Sequence, residues 1–165
     1  MKTLLIVGAG SHGRVVGEIA EACDYSVAYL DDRPGDNVVG SISQLENMAD
    51  QYDAFFVGIG NNRTRQILYE RLESLRVEIA VLIHPTAYIS PTASIGVGTV
   101  VEPKAIVNTN SVVKKGCIIS VGAIVDHDTV IEEYAHINAG AICKGGSHVG
   151  HGEKMDAGEV VRGYN

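Results

Sequence analysis

Two regions of the sequence gather residue types that can do chemistry. In the first, Gly8-Ala9-Gly10-Ser11-His12-Gly13 follows the apolar run Leu4 to Val7 and precedes a helical pattern that continues through Ala22. Glycines at a strand-to-helix turn permit positive φ and close ligand approach at Gly8 and Gly10 and close helix packing at Gly13, and the helix N-terminus offers amides to a phosphate. Asp31-Asp32 ends a second apolar run, Ser26 to Leu30, where a dinucleotide fold places an acid for ribose. Gly60-Asn61-Asn62-Arg63 follows a third run, Ala54 to Gly58, and leads into a helix from about Thr64 to Leu75. In the second region, Asp126, His127, Asp128, Glu132, Glu133 and Lys144 are outward positions of a repeat, and their chemical variety suggests a site rather than a plain surface.

The repeat itself is the strongest feature. An aliphatic-type residue stands at every sixth position without insertion: Ile83, Ile89, Ile95, Val101, Val107, Val113, Ile119, Val125, Ile131, Ile137, Cys143, Val149, Met155 and Val161. Four residues after most of them comes a small one, from Ala87 and Ala93 to Ala141 and Ser147. A period of six fits neither a helix nor an ordinary strand, so each hexad is a turn-and-strand unit. Three hexads then make one triangular coil, with aliphatic residues inward and small residues at tight corners, and stacked coils accumulate stability along one dimension. An ice-binding or spacer solenoid is the plain alternative, but it calls for a flat face of repeated Thr that this chain lacks.

The first eighty residues alternate strand and helix as a parallel α/β sheet does, with all three loops at strand C-terminal ends, where ligands of open sheets bind. The domain ends near Leu82, short of the roughly 150 residues of a full NAD domain, so a mononucleotide-sized ligand fits better. A merely structural glycine turn remains the alternative. The boundaries are therefore 1-82 and 83-165.

The bulk properties narrow the partners. The chain has 165 residues, 45% of them hydrophobic, and a formal net charge of −7, which suits a folded protein without the basic face that nucleic acid requires. Its apolar runs are strand-sized, so no membrane span is expected. Met1 to Val7 reads as a first strand rather than a signal peptide, because Gly8, Gly10, Ser11 and His12 break the run at once. The cysteines, Cys23, Cys117 and Cys143, lie too far apart for a CxxC pair and suit a reducing compartment, the cytoplasm by default. Cys117 and Cys143 fall on corner and inward repeat positions and read as structural. His148 and His151 lie close together, but no third ligand stands at a suitable spacing, so no metal is expected; His84 reads as a junction residue.

The segments GAGSHG, YLDD, GIGNNRTR, IHPTAYISPTASIG and IVDHDTVIEEYAHI occur in this order between about Met1 and Ala141. Together they resemble one family: the sialic acid O-acetyltransferases and the UDP- or GDP-aminosugar N-acetyltransferases, hexapeptide-repeat acyltransferases with an N-terminal Rossmann-like domain. The resemblance implies a left-handed parallel β-helix, a hand that spacing does not supply because crossovers are usually right-handed. It implies that a nucleotide-sugar or sialic acid acceptor is held by Gly8, Gly10, Ser11, His12, Gly13, Asp31, Asp32, Gly60, Asn61, Asn62 and Arg63. It also implies that acetyl-CoA binds the β-helix between neighbouring subunits of a homotrimer.

Within that resemblance His127, in VDHD, matches the catalytic base. The acid after it, usually Glu in the family, is here Asp128. His136, in YAHI, matches a histidine that contacts the acetyl or thioester region of the coenzyme, and Gly145 and Gly146 are assigned to the same coenzyme. Independently of the family, a coil of 18 residues stacks Thr109 below His127 and Gly145 above it, small neighbours that leave a notch for an amine or hydroxyl. Nitrogen and oxygen remain open as the acetylated atom. The repeat stops at Val161, where the family usually continues for one or two more coils that grip pantetheine and adenine. The charged last hexads are expected to protect the open edge. The rival reading is a non-catalytic nucleotide-sugar-binding or scaffold trimer.

Overall fold

The structure is a computed structural model and describes residues 1–164. It divides into two compact units, Met1–Leu82 and a second that begins at Ile83.

The first unit runs β1 (Lys2–Val7), α1 (Ser11–Ala22), β2 (Tyr25–Leu30), β3 (Val38–Gly40), a 3₁₀ helix (Ile42–Met48), β4 (Ala54–Val57) and α2 (Asn62–Leu75). The strands form a parallel, Rossmann-like sheet in the order β3-β2-β1-β4. Leu4 to Val7 of β1 and Ala54 to Val57 of β4 are buried throughout, the continuous apolar pattern of strands covered on both faces. Helix α1 buries Val16, Ile19 and Ala20 along one stripe, and α2 buries Leu68, Tyr69 and Leu72 along another. The register pairs Val7 with Leu30 on one side and Val57 on the other. The loops after β1, β2 and β4 therefore leave the sheet side by side. Strand β3 and the 3₁₀ helix are additions to the sequence reading; three residues cannot show a period, and the 3₁₀ helix is held by a Ser41–Gln44 capping box over the buried Leu45.

The second unit is a left-handed parallel β-helix of two-residue strands. One face stacks Val100–Val101, Ile118–Ile119 and His136–Ile137. The next stacks Ile106–Val107, Ile124–Val125 and Ile142–Cys143, and the third Val112–Val113, Val130–Ile131 and His148–Val149. Partners such as Val112 and Val130 lie 18 residues apart, so one coil is three hexads. The inward aliphatic row and the small corner residues share one core cluster, from Val101 and Ala105 to Val149 and Met155. Cys117 and Cys143 are in it, fully buried.

The corners share one backbone device. The third residue after an inward residue takes a left-handed φ at Gly98, Lys104, Asn110, Gly116, Gly122, Asp128, Tyr134, Gly140, Gly146, Gly152 and Gly158. Glycine takes that conformation freely, whereas a side chain there costs about 1–2 kcal/mol. Where Asn110 and Asp128 stand instead, something must compensate.

Candidate functional site

The glycine loop is built by close approach. Gly8 has φ 103, donates its N–H to the Leu30 carbonyl at 2.7 Å, and leaves its own carbonyl 2.0 Å from where a Gly13 Cβ would lie. Only glycine at 13 lets α1 start so near β1. Gly10 differs from expectation: as the α1 N-cap it has φ −69, which needs no left-handed freedom. Its surroundings are open, with Arg33 Nη2 the nearest group at 3.8 Å from an added Cβ. Gly10 gives the first-turn amides no side-chain acceptor, and amides left uncapped at a helix start suit an anion.

A cavity of about 410 Å³ opens here, lined among others by Ala9, Gly10, Ser11, Arg14, Asp31 and Arg33. Asp31 organises it. Its carboxylate accepts Ala9 N–H at 2.8 Å and Arg33 N–H at 2.9 Å, and these bonds, the Ala9 amide first, hold it below its ordinary proton affinity. Asp32 turns the other way and accepts Ile42 N–H at 3.1 Å at the start of the 3₁₀ helix. Arg14 and Arg33 escaped the sequence reading. Arg14 lies one helical turn after Gly10, on the same face, a spacing that could have revealed it; it donates to Asp36 O at 3.0 Å and lies over the Tyr29 ring at 4.5 Å.

The loop after β4 is held from beneath. Asn61 caps α2 through Thr64 N–H at 3.0 Å. Arg65, 1% exposed, donates to Ile59 O, Gly60 O and Asn62 Oδ1 at 2.8–3.3 Å. Arg63 is exposed and lines a separate hollow with Gln66, Ile67 and Glu70, not the cavity above the glycine loop. Two residues on, Arg65 is the arginine that shapes the loop. His12 reaches toward Gly60, whose added Cβ would lie 3.8 Å from the His12 Cβ. Burial, helped by the Arg65 charge, pushes the His12 imidazole down to about 4, so it is neutral at physiological pH.

In the β-helix, His127 occupies the corner that follows Ile124–Val125. Asp126 Oδ1 accepts the His127 amide at 2.8 Å and the Asn108 side-chain amide at 3.0 Å, which fixes the turn. His127 Nδ1 lies 2.8 Å from Asp128 Oδ2. An ionised carboxylate only accepts, so Nδ1 carries the proton and Nε2 the lone pair. Asp128 thus spans the distance despite its short side chain, because its left-handed φ of 56 turns the carboxylate back toward its neighbour. The Asp128 hydrogen bond raises the His127 pKa, and the charges of Asp126 and Asp128 add to it. Nearly half of the His127 side chain remains exposed.

Gly145 and Gly146 hold this corner from above. A Cβ on Gly145 would lie 2.6 Å from His127 Nε2, and one on Gly146 would lie 2.3 Å from the Tyr164 ring. The notch expected at these glycines is filled by the chain's own imidazole and tyrosine. His136 lies elsewhere, on the face opposite this corner; it is 9% exposed, and its Nε2 is 3.0 Å from Ser120 Oγ. Within one chain, His127 and His136 are not brought together. His148 binds Glu132 at 3.0 Å, and Glu132 also pairs with Lys114. Among the described residues, no group of three or more His, Cys, Asp and Glu is arranged to hold a metal ion.

The two units also occur together in solved proteins. The acetyltransferase domain of PglB from Neisseria gonorrhoeae superposes with a TM-score of 0.94 at 39% identity, over 99% of this chain and 83% of that one. The chain belongs to the family of the sialic acid O-acetyltransferases and nucleotide-aminosugar N-acetyltransferases. The same Neisseria domain has also been solved in complex with acetyl coenzyme A. Another family structure, an asparagine-for-histidine variant of perosamine N-acetyltransferase from Caulobacter crescentus with CoA and GDP-perosamine, matches at a TM-score of 0.90 and 29% identity, over 99% of this chain and 90% of that one. The PglD N-terminal domain family matches residues 3–72. A curated relative, UDP-N-acetylbacillosamine N-acetyltransferase from Bacillus subtilis, is 34% identical over 111 residues, which are 61% of this chain and 51% of the relative. The aligned part thus spans about half the length of that relative.

Proposed function

We propose that this chain transfers the acetyl group of acetyl-CoA to the amine of a nucleotide-linked aminosugar. The observation that carries the reading is the His127–Asp128 pair, with Nδ1 bound to the carboxylate at 2.8 Å and Nε2 left with its lone pair on a half-exposed imidazole. His127 takes a proton from the acceptor amine as the amine nitrogen bonds to the acetyl carbon. The C–S bond breaks, and His127 returns the proton to the departing thiolate, giving an amide and the free thiol. Asp128 keeps the imidazole in the right tautomer and stabilises its protonated form. Such general-base assistance is worth about 10² to 10⁴ in rate.

The nucleotide part is assigned to the cavity of the first unit. Backbone amides at the α1 start and the guanidinium groups of Arg14 and Arg33 suit a diphosphate, in a chain otherwise rich in acid. Asp31, ionised and facing the same cavity, suits a ribose hydroxyl. His136, Gly145 and Gly146 remain on the coenzyme side of this reading, and the assembly is taken to be a homotrimer. Nitrogen rather than oxygen is supported by the relatives, which are named as N-acetyltransferases of aminosugars.

The test is a panel of acceptors incubated with acetyl-CoA and followed by thiol release and product mass. UDP- and GDP-linked aminosugars should gain one acetyl group on nitrogen, while sialic acid and nucleotide sugars lacking a free amine should not. Acetylation of sialic acid oxygen alone would overturn the assignment of the acceptor. Binding of the nucleotide sugars without any transfer would favour the scaffold reading.

A further inference from the structure

The segment that follows Val161 returns to the catalytic corner. Tyr164 N–H donates to the Gly145 carbonyl at 3.2 Å. A Cβ on Gly163 would lie 1.8 Å from that same oxygen, so the chain passes there only because residue 163 has no side chain. The Tyr164 ring then covers Gly146, where an added Cβ would meet three ring carbons at 2.3–2.6 Å. Its centroid is 6.3 Å from that of His127, with the planes tilted by 36°. The phenol stands near enough to Asp128 for the carboxylate's charge to raise the phenol's pKa, beside the larger effect of burial. Three glycines, at 145, 146 and 163, thus clear the space in which the His127 imidazole and the Tyr164 phenol come together at the Asp128 corner.

Asp128 thus accepts from two donors, His127 Nδ1 at 2.8 Å and Asn110 Nδ2 at 3.2 Å, and the Tyr164 phenol stands beside the same carboxylate. A neutral phenol beside a carboxylate can only donate, and each donor that Asp128 satisfies draws charge away from the imidazole. The ring covers part of the corner while the rest of His127 stays open.

We infer that Tyr164 is a positioning residue for the His127–Asp128 pair, fixing the carboxylate by its hydroxyl and the imidazole's surroundings by its ring. The inference rests on the reading of His127 as the base. It assigns a role in the reaction to the Arg162–Tyr164 segment, which lies beyond the last repeat strand.

The test uses the full chain with Tyr164→Phe, which keeps the ring and removes the donor, and Tyr164→Ala, which removes both. The His127 imidazole is titrated by NMR. Without the hydroxyl, Asp128 gives more of its charge to the imidazole, so the midpoint should rise by roughly half a unit in Tyr164→Phe. The acid limb of kcat should move with it, at unchanged KM for acetyl-CoA. Tyr164→Ala should also lower kcat severalfold. Coincident titrations of wild type and Tyr164→Phe would overturn the inference even if His127→Ala abolishes turnover. A fully active His127→Ala chain would instead overturn the base assignment, and the role of Tyr164 in the reaction with it.

Discussion

The Asn110 side-chain amide donates to Asp128 Oδ1 at 3.2 Å across one coil. Both residues hold the left-handed corner conformation, with φ 57 and φ 56, that glycine takes at most other coil corners. The strain of the two corners is offset by a bond that no glycine could make, and the bond leaves the other Asp128 oxygen for His127 Nδ1.

This arrangement has a pH consequence. A base must be neutral to work, and the Asp128 hydrogen bond holds the His127 pKa above its ordinary value near 6.5. The acid limb of kcat should therefore fall above 6.5 in the wild-type chain. Asp128→Asn removes the cause, so the limb should move down, toward lower pH, while the plateau drops roughly tenfold because the imidazolium loses its partner. A pH–rate profile of the two proteins reads both effects. An unmoved limb would separate Asp128 from the titration.

Gly145 sets a steric limit on the same imidazole. Gly145→Ala puts a methyl 2.6 Å from His127 Nε2 and should displace the ring, lowering turnover about a hundredfold with the fold retained. Gly122→Ala is the control: nothing lies within 4 Å, but its φ of 65 is left-handed. It should cost about 1 kcal/mol of stability and leave turnover intact. Circular dichroism melts beside steady-state rates separate the two outcomes.

The parts that were legible in the sequence are those that a period or a rigid rule imposes. Val101, Val107 and Val113 point inward because their spacing of six allows no other core, and Gly8 and Gly13 mark a turn that only glycine can make. Less legible was anything decided by which way a side chain turns. Arg63 and Arg65 sit two apart on one helix, and the sequence does not say that 65 is the one buried beneath the loop. Gly10 looks like a left-handed glycine and is an N-cap. Asn110 could have been found by counting one coil back from Asp128. Tyr164 could have been found the same way, two coils on from Asp128, because it is the third residue after the inward Val161.

His12 predicts a different pH effect, on stability. Its pKa is about 4 in the fold and near 6.5 in the unfolded chain, so between these values the unfolded state binds more protons. Stability should fall as pH drops from 6.5 toward 4, by at most about 3 kcal/mol from this group. His12→Gln should flatten that part of the curve in urea denaturation between pH 7.5 and 4.5. An unchanged slope would mean that the imidazole titrates normally.

The most direct test is the rate of acetyl transfer by His127→Ala. The variant should bind nucleotide-aminosugar and melt like wild type, because an outward corner side chain adds little packing, while kcat with acetyl-CoA and a UDP- or GDP-linked aminosugar falls by about two orders of magnitude or more. A well-folded His127→Ala chain that acetylates the aminosugar at the wild-type rate would contradict the account.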